Sequence, residues 1–169
     1  LMLISVCLGL SATVNAKTFR YATTGDILGL DPHANNEGPT NTMKGNIYGR
    51  MLHRKADLSL EPDLATKWEK LDANTWRFSL RRGVKFHNGN DFNADDVLFS
   101  YKRQTQEASD MSFALATIKQ INKVDDYTVD LITKGPDPIL LLNMPMFYIV
   151  DKEWIEANNA FEVVRASGS

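Results

Sequence analysis

Two segments of this chain share one pattern, and that pattern constrains the fold more than any other feature. Residues 71–80 (LDANTWRFSL) and 124–133 (VDDYTVDLIT) align without a gap, so that Trp76 matches Val129 and Phe78 matches Leu131. In each segment an Asp-rich turn ends one strand (67–71; 119–124) and begins another. Aspartate suits such turns because its side chain bonds the backbone two residues later, and apolar alternation places one strand face on a core. The sequence therefore predicts two similar hairpins in a small, largely antiparallel sheet.

A capped helix is predicted between the two hairpins. Asn93 is the predicted N-cap, Asp95 and Asp96 lie in the first turn where the helix dipole favours negative charge, and Lys102 and Arg103 lie in the last turn. Apolar residues follow the spacing i, i+3, i+4 and i+7: Ala94, Val97, Leu98 and Tyr101. We expect this apolar face to pack on the sheet.

The segments outside this region give weaker patterns. A helix is predicted over 40–52 with Thr40 or Asn41 as N-cap, then a short strand that ends before Pro62. A short apolar helix is predicted near 138–143, and Asp151 is expected to cap a helix over 151–160. Residues 24–40 form a long polar loop with three glycines and two prolines. Loops of this length tend to be functional, and the alternative is a plain surface connection.

The first sixteen residues have the features of a signal peptide. They carry no charge, are mostly apolar and end in Val14-Asn15-Ala16, which has the small-residue spacing of a signal-peptidase site. The usual basic start is missing. We expect the mature chain to begin at Lys17 with a short strand over 17–23. Val6 precedes Cys7, which disfavours a lipid anchor. Cys7 is the single cysteine, so cleavage would leave no disulfide and no thiolate metal site.

Composition and motifs exclude several classes of function. A net charge of −2 with no basic run argues against a nucleic-acid surface. The three histidines lack metal-ligand spacing, and no P-loop, nucleophile elbow or zinc-protease motif is present. The helix dipole explains Asp95 and Asp96 without catalysis, and core packing explains the aromatic residues better than a stacking platform does. We therefore predict no catalytic residue, no metal site and no cofactor.

Residues 64–100 resemble the signature of extracellular solute-binding protein family 5, the oligopeptide, dipeptide and nickel receptors of bacterial ABC importers. The matching positions are Leu64, Ala65, Trp68, Asp72, Thr75–Phe78, Leu80, Arg81, Gly83–His87, Gly89, Phe92, Ala94–Val97, Phe99 and Ser100. Two further segments, Leu30–His33 and Ile149–Glu153, are similar to other parts of the family pattern. The resemblance covers most of residues 19–158.

The resemblance implies an α/β, type II periplasmic binding protein fold of which this chain is an incomplete, N-terminal part. Residues 17–49 would begin lobe one, 50–148 would form an accessory α+β subdomain with a mainly antiparallel sheet, and 149–169 would return toward lobe one. The second lobe would be absent, because members of the family run to several hundred residues.

The same resemblance implies a function and a site. The protein would be the periplasmic substrate-binding component of an ABC transporter that captures peptides, and it would be a monomer that docks on an inner-membrane permease. It would be neither an enzyme nor a nucleic-acid-binding protein. Residues that fix a peptide's charged termini would lie mostly in the missing part, so the cleft-side loop supplies the ligand-binding candidates. These are Thr24, Gly25, Asp31, His33, Asn35 and Asn36.

Three alternatives remain open from the sequence. The chain could belong to a receptor for nickel or another small solute, and family frequency alone favours peptide. It could begin a secreted enzyme whose catalytic residues lie beyond Ser169. It could also be a stand-alone interaction domain made of residues 17–169.

Overall fold

The structure is a computed structural model that describes residues 25–164. The predicted signal peptide at 1–16 with Cys7, the strand predicted at 17–23, the candidate ligand residue Thr24 and the last five residues of the chain lie outside the described residues.

A four-stranded antiparallel sheet is the centre of the fold. Its strands are β3 (Ala65–Lys70), β4 (Thr75–Leu80), β5 (Ile118–Asp125) and β6 (Thr128–Thr133), in the order β3-β4-β6-β5. β3 with β4 and β5 with β6 form the two hairpins that the repeated pattern predicts. β4 and β6 lie side by side in the middle of the sheet and join the hairpins.

The turns of both hairpins are held by the aspartates that the sequence singled out. Asp72 Oδ1 accepts hydrogen bonds from the backbone N–H groups of Asn74 and Thr75, at 2.8 and 2.9 Å. Asp125 Oδ1 accepts one from the backbone N–H of Tyr127 at 2.7 Å. Each carboxylate replaces backbone partners that the chain lacks where it reverses.

The two central strands pair in a way that reflects the sequence repeat. The opposed residues are Trp76 with Leu131, Arg77 with Asp130 and Phe78 with Val129. In the repeat, Trp76 matches Val129 and Phe78 matches Leu131. A local two-fold rotation centred on Arg77 and Asp130 therefore exchanges the two strands. These two residues form a bidentate ion pair, with Nε–Oδ1 and Nη2–Oδ2 distances of 2.8 Å.

Helix α2 (Ala94–Gln104) follows the predicted cap and packs on the sheet. The Asn93 Oδ1 atom accepts from the backbone N–H of Asp95 at 2.7 Å, and Asp96 Oδ2 accepts from the backbone N–H of Asn93 at 2.9 Å. These reciprocal bonds satisfy N–H groups that have no partner inside the helix. The prediction of helix and cap is confirmed.

The remaining elements surround this unit. They are α1 (Gly38–Ile47), a hairpin of β1 (Leu52–Arg54) and β2 (Leu60–Pro62), α3 (Leu140–Asn143), α4 (Lys152–Ala157), and 3-10 turns at Ser112–Leu115 and Met144–Met146. Asp151 caps α4, as predicted, by accepting from the backbone N–H of Trp154 at 3.0 Å. The prediction of a helix over 40–52 capped by Thr40 or Asn41 is wrong at both ends. The N-cap is Glu37, which makes no side-chain cap bond, and Tyr48 is extended where the chain leads into β1.

The main core lies between the sheet, α2 and the segment around Phe147. Its fully buried members include Met51, Phe78, Val97, Leu131 and Phe147. The aromatic residues for which core packing was predicted contact this cluster: Trp68, Trp76, Phe86 and Tyr101 are partly buried against it. Burial of such side chains is the main favourable contribution to folding.

Candidate functional site

The loop at residues 25–36 is the part of the described chain that the sequence assigns to a ligand. Its own backbone supplies little regular structure: the backbone N–H of Ala34 bonds the Asp31 carbonyl at 3.4 Å, and the Ala34 carbonyl accepts from the Asp110 N–H at 3.0 Å. Side chains from other elements therefore determine much of the loop's shape.

Lys44 of α1 supports the loop from inside the protein. Its side chain is buried, and Nζ donates to the carbonyl oxygens of Pro32, at 3.3 Å, and of Asn35. The ammonium also lies 6.0 Å from the centre of the Tyr148 ring, within cation–π range. Burial lowers the pKa of Lys44, because a charged group loses its hydration inside the protein.

Arg103 of α2 also holds the loop. Its guanidinium binds the Asp31 carboxylate through two bonds, Nη1–Oδ1 at 2.8 Å and Nη2–Oδ2 at 2.6 Å. A third nitrogen, Nε, donates to the carbonyl of Ala160 at 3.2 Å. Burial raises the pKa of Asp31, but the hydrogen bonds from Arg103 and from the backbone of His33 outweigh it and leave that pKa below its ordinary value.

His33 is fully buried, and both of its ring nitrogens have partners. Nε2 lies 3.0 Å from the carbonyl oxygen of Tyr148, and Nδ1 lies 3.1 Å from Arg103 Nη1. A carbonyl only accepts and a guanidinium only donates, so Nε2 carries the hydrogen and Nδ1 is bare. Burial, assisted by the Arg103 cation, lowers the pKa of His33 to about 4, which keeps the ring neutral at neutral pH.

The structure separates the predicted ligand-binding residues into two groups. The exposed ones are Gly25 and Asn36, and the buried ones are His33 and Asn35, with Asp31 between these extremes. Asp31 and His33 meet at Arg103, whereas Asn36 bonds the Asn41 side chain at 2.8 Å near the surface. The ligand-binding role of these residues stays a prediction.

An apolar cavity of about 430 Å³ lies beside the Asp31–Arg103 pair. Its walls come from segments far apart in the sequence and include Tyr48, Val84, Phe86, Ile149, Trp154 and Ile155. Trp154 is half exposed and forms part of the rim. The sequence patterns gave no indication of this cavity, since no one segment supplies more than a few of its residues.

Three carboxylates, those of Asp96, Asp151 and Glu153, have oxygens within 4.8 Å of one another. Carboxylates at this spacing are a possible ligand set for a divalent cation. Backbone and amide donors already engage the two buried members, however. Asp96 Oδ1 accepts from the Lys152 N–H at 3.0 Å, and Asp151 Oδ2 accepts from the side-chain amides of Asn88 and Asn90, at 2.7 and 2.9 Å. The cluster therefore joins α2 to the start of α4.

The environment of Asp96 raises the pKa of its carboxyl group. Burial, followed by the nearby charges of Glu153 and Asp151, raises the pKa of Asp96 to about 6, although backbone hydrogen bonds act in the opposite direction. The helix dipole explained this residue in the sequence, and the structure adds a contact with α4 that the dipole does not predict.

Sequence reasoning missed a buried polar stripe on α2. Asp96, Ser100 and Arg103 stand at i, i+4 and i+7, on the face opposite the apolar residues that pack on the sheet. Ser100 Oγ accepts from the Val150 N–H at 2.9 Å, between the contacts that Asp96 and Arg103 make. The regular spacing of these residues is visible in the sequence, but the same spacing is equally typical of a solvent-exposed helix face.

Within residues 25–164, no helix has the length and apolar character that crossing a membrane requires.

Comparison with known proteins gives consistent matches. The family model described as "Bacterial extracellular solute-binding proteins, family 5 Middle" matches residues 59–166. The dipeptide-binding protein of Escherichia coli is 32% identical over 90% of this chain and 33% of its own length. Heme-binding protein A of Haemophilus influenzae is 33% identical over 78% of this chain and 28% of its own length. The chain thus spans about a third of the curated relatives it matches.

A solved structure extends the match to the fold. The ABC transporter-associated periplasmic binding protein DppA from Helicobacter pylori, in complex with the peptide STSA, superimposes with a TM-score of 0.67 at 30% identity. The superposition covers 79% of this chain and 31% of that one. The mixed helix and strand architecture with antiparallel sheets is therefore part of a type II periplasmic binding protein fold, as the sequence predicted.

Proposed function

Because this chain belongs to family 5 of the bacterial extracellular solute-binding proteins, we propose that it is part of a periplasmic receptor that captures peptides for an ABC importer. The similarity to a dipeptide-binding protein along 90% of the chain carries the proposal. The similar structure from Helicobacter pylori, which holds a peptide, supports the same class of solute.

In this proposal the chain divides into two parts. Residues 17–49 and 149–169 belong to lobe one, and residues 50–148 form the accessory subdomain. The solute lies between lobe one and a second lobe that the rest of the full-length receptor supplies. The loop at residues 25–36 faces the cleft, and its exposed members Gly25 and Asn36 contact the solute; Thr24, which the sequence adds to these candidates, lies outside the described residues.

Capture works by closure of the two lobes. A solute that contacts both lobes stabilises the closed form relative to the open one by its difference in affinity for the two. The closed, monomeric receptor then docks on a permease in the inner membrane. Relatives of this kind bind rather than transform their solutes, so we propose no catalytic step and no cofactor.

A small solute other than a peptide is the second candidate. The similarity to heme-binding protein A, over 78% of the chain, favours this reading, and a nickel receptor of the same family is a further form of it. The apolar cavity does not discriminate among these solutes, because its walls are mostly apolar and two of its polar pairs, Asp31–Arg103 and Asn88–Asp151, already bond each other.

Isothermal titration calorimetry of the full-length receptor tests the proposal. A dipeptide set, a set of longer peptides, haem and a nickel salt are titrated separately. We expect saturable heat from at least one peptide set. The matched control is the binding peptide with acetylated and amidated termini, which should bind more weakly because its terminal charges are lost. Binding of haem or nickel alone would replace the proposal by the second candidate, and no binding of any solute would contradict both.

A further inference from the structure

We propose that Arg103 is a positioning residue for solute capture: from helix α2 it holds the loop at residues 25–36 in its binding shape without touching the solute. This inference rests on the proposed function, since it assumes that the loop faces the solute cleft. It assigns a role in binding to the accessory part of the chain, where the sequence indicated packing alone.

The geometry concentrates three loop contacts on one guanidinium. Arg103 binds both oxygens of Asp31 and donates to Nδ1 of His33, while its side chain is 4% exposed. Such a bidentate pair fixes the direction of the carboxylate as well as its distance. A side chain so buried and so fully engaged acts on the solute through the loop.

Most of the other contacts of the loop act on the same few residues, and the backbone N–H of Leu28 also donates to Thr40 Oγ1 at 3.1 Å. Ser109 Oγ donates to the carbonyl of His33 at 2.7 Å, and His33 in turn donates to the carbonyl of Tyr148. Lys44 binds the carbonyls of Pro32 and Asn35. Residues 31–35, in the second half of the loop, therefore make most of its contacts with the rest of the fold, and the exposed candidates Gly25 and Asn36 lie on either side of this held part.

The charges around His33 make this arrangement testable. The charged groups that face the ring are Arg103 and Lys44, which oppose its protonation, and Asp31, which favours it. Replacing Arg103 by a neutral residue removes one cation and leaves the Asp31 carboxylate without its partner. Both changes raise the pKa of His33 above its wild-type value, while burial, the largest cause of the lowering, remains. The ring then gains a proton at a higher pH than in the wild type and offers Asp31 a new cationic partner.

The experiment compares Arg103→Gln, Arg103→Lys and the wild type in the full-length receptor. Affinity for a peptide that the wild type binds is measured at pH 7.5, 6.5 and 5.5. We expect Arg103→Gln to weaken binding roughly tenfold at pH 7.5, in the range by which residues without ligand contact modulate affinity. We expect acidification to restore part of that loss. Arg103→Lys retains the cation, so it should weaken binding less and show the flat pH profile of the wild type.

Lys102→Gln is the matched control. It removes the same charge from the neighbouring, exposed position of the same helix, and it should leave affinity unchanged. Ser109→Ala is a milder second variant that keeps every charge, in case Arg103→Gln does not fold. It removes the bond to the His33 carbonyl, and we expect it to weaken binding a few-fold with no new pH dependence.

Hydrogen exchange of the loop amides separates the two hypotheses. In the receptor without solute, Arg103→Gln or Ser109→Ala should accelerate exchange at residues 31–36, whereas Lys102→Gln should not. A wild type that binds none of the solutes contradicts the proposed function. Folded Arg103 or Ser109 variants with wild-type exchange in the loop overturn the positioning role.

Discussion

Two buried titratable side chains lie at opposite ends of α2, and their pKa values are shifted in opposite directions from the ordinary values. Asp96 lies at the first turn, where burial raises its pKa to about 6. His33 contacts Arg103 in the last turn, and burial lowers the histidine pKa to about 4. Because a shifted pKa makes stability depend on pH, each residue changes how the free energy of unfolding varies with pH.

The signs of the two effects follow from where protons bind. Unfolded His33 gains a proton near pH 6.5 and folded His33 near 4, so acidification through this window favours the unfolded state. Folded Asp96 gains a proton near pH 6 and the unfolded residue near 3.8, so the same acidification favours the folded state. The two effects oppose each other between about pH 6 and 4.

We predict that single substitutions separate these effects. Asp96→Asn should make the stability fall more steeply than that of the wild type as the pH is lowered from 6.5 to 4.5, because the Asp96 effect no longer opposes the His33 effect. His33→Gln should make the stability rise as the pH is lowered over the same interval. The measurement is the urea midpoint at each pH. Asp95→Asn, at the next position of the same turn, is the control and should retain the wild-type profile. Parallel profiles for all the proteins would contradict the prediction.

The N-cap of α2 gives a second prediction. Asn93→Ala should lower the free energy of unfolding by about 1 kcal/mol, because the backbone N–H of Asp95 loses its side-chain acceptor. Asn93→Ser retains an oxygen at the cap and should recover most of this loss. Thermal unfolding measures both variants, and a melting temperature of Asn93→Ala equal to the wild type's would refute the assigned cap.

Sequence distance decides which of these residues could be predicted. The cap was found because Asn93 and its partner are two residues apart, so the local pattern contains the whole interaction. The Arg103–Asp31 contact spans 72 residues and the Asp96–Lys152 contact spans 56, so nothing local distinguishes these charges from solvated ones. The candidate loop was predictable as a segment, whereas the side chains that fix its shape were not.

A local two-fold relation connects the two hairpins, and the ion pair between them tests it. Arg77 and Asp130 occupy equivalent positions of the repeat and lie opposite each other at its centre. We predict that Arg77→Asp and Asp130→Arg each lower the melting temperature, because each places like charges in contact. The double variant should recover most of the loss, since exchange of the partners reproduces the pair in the reverse direction. A double variant less stable than both single variants would contradict the local two-fold relation.

The end of α1 shows why one element was predicted wrongly. Met51 and Leu52 continue the helical spacing of apolar residues that begins at Met43 and Ile47. In the structure both are buried, Leu52 in strand β1 and Met51 at the bend before it, and the Met51 N–H bonds the carbonyl of Phe147. Apolar spacing over so few residues fits both conformations, and the partner that decides between them is distant in sequence.

The fold of the whole molecule was predictable from its sequence because many ordered positions specify it together. The helix, its cap and both hairpins were each visible in local patterns, and their order matched one family. The limits of the lobe and subdomain stay predictions. α2 contacts the sheet by one face and residues 31–33 and 150–160 by the other, so the described part contains no loosely joined boundary that would mark them.

A fragment of residues 17–169 should give no saturable heat with any peptide that the full-length receptor binds, because one lobe cannot enclose a solute. Calorimetry under identical conditions tests this, with circular dichroism to show that the fragment is folded. Micromolar binding by the folded fragment would place the whole binding site within these residues and contradict the two-lobed cleft.

The joined hairpins also have a consequence for how the chain folds. Each hairpin closes over a few residues, whereas pairing Arg77 with Asp130 closes a loop of 53 positions. Loop closure costs conformational entropy before the new contacts repay it, and such non-local pairing slows folding. We therefore expect both hairpins to form early and their docking to limit the rate. Helix α2, which lies between them in sequence, would then be the last part of this unit to gain its full set of contacts.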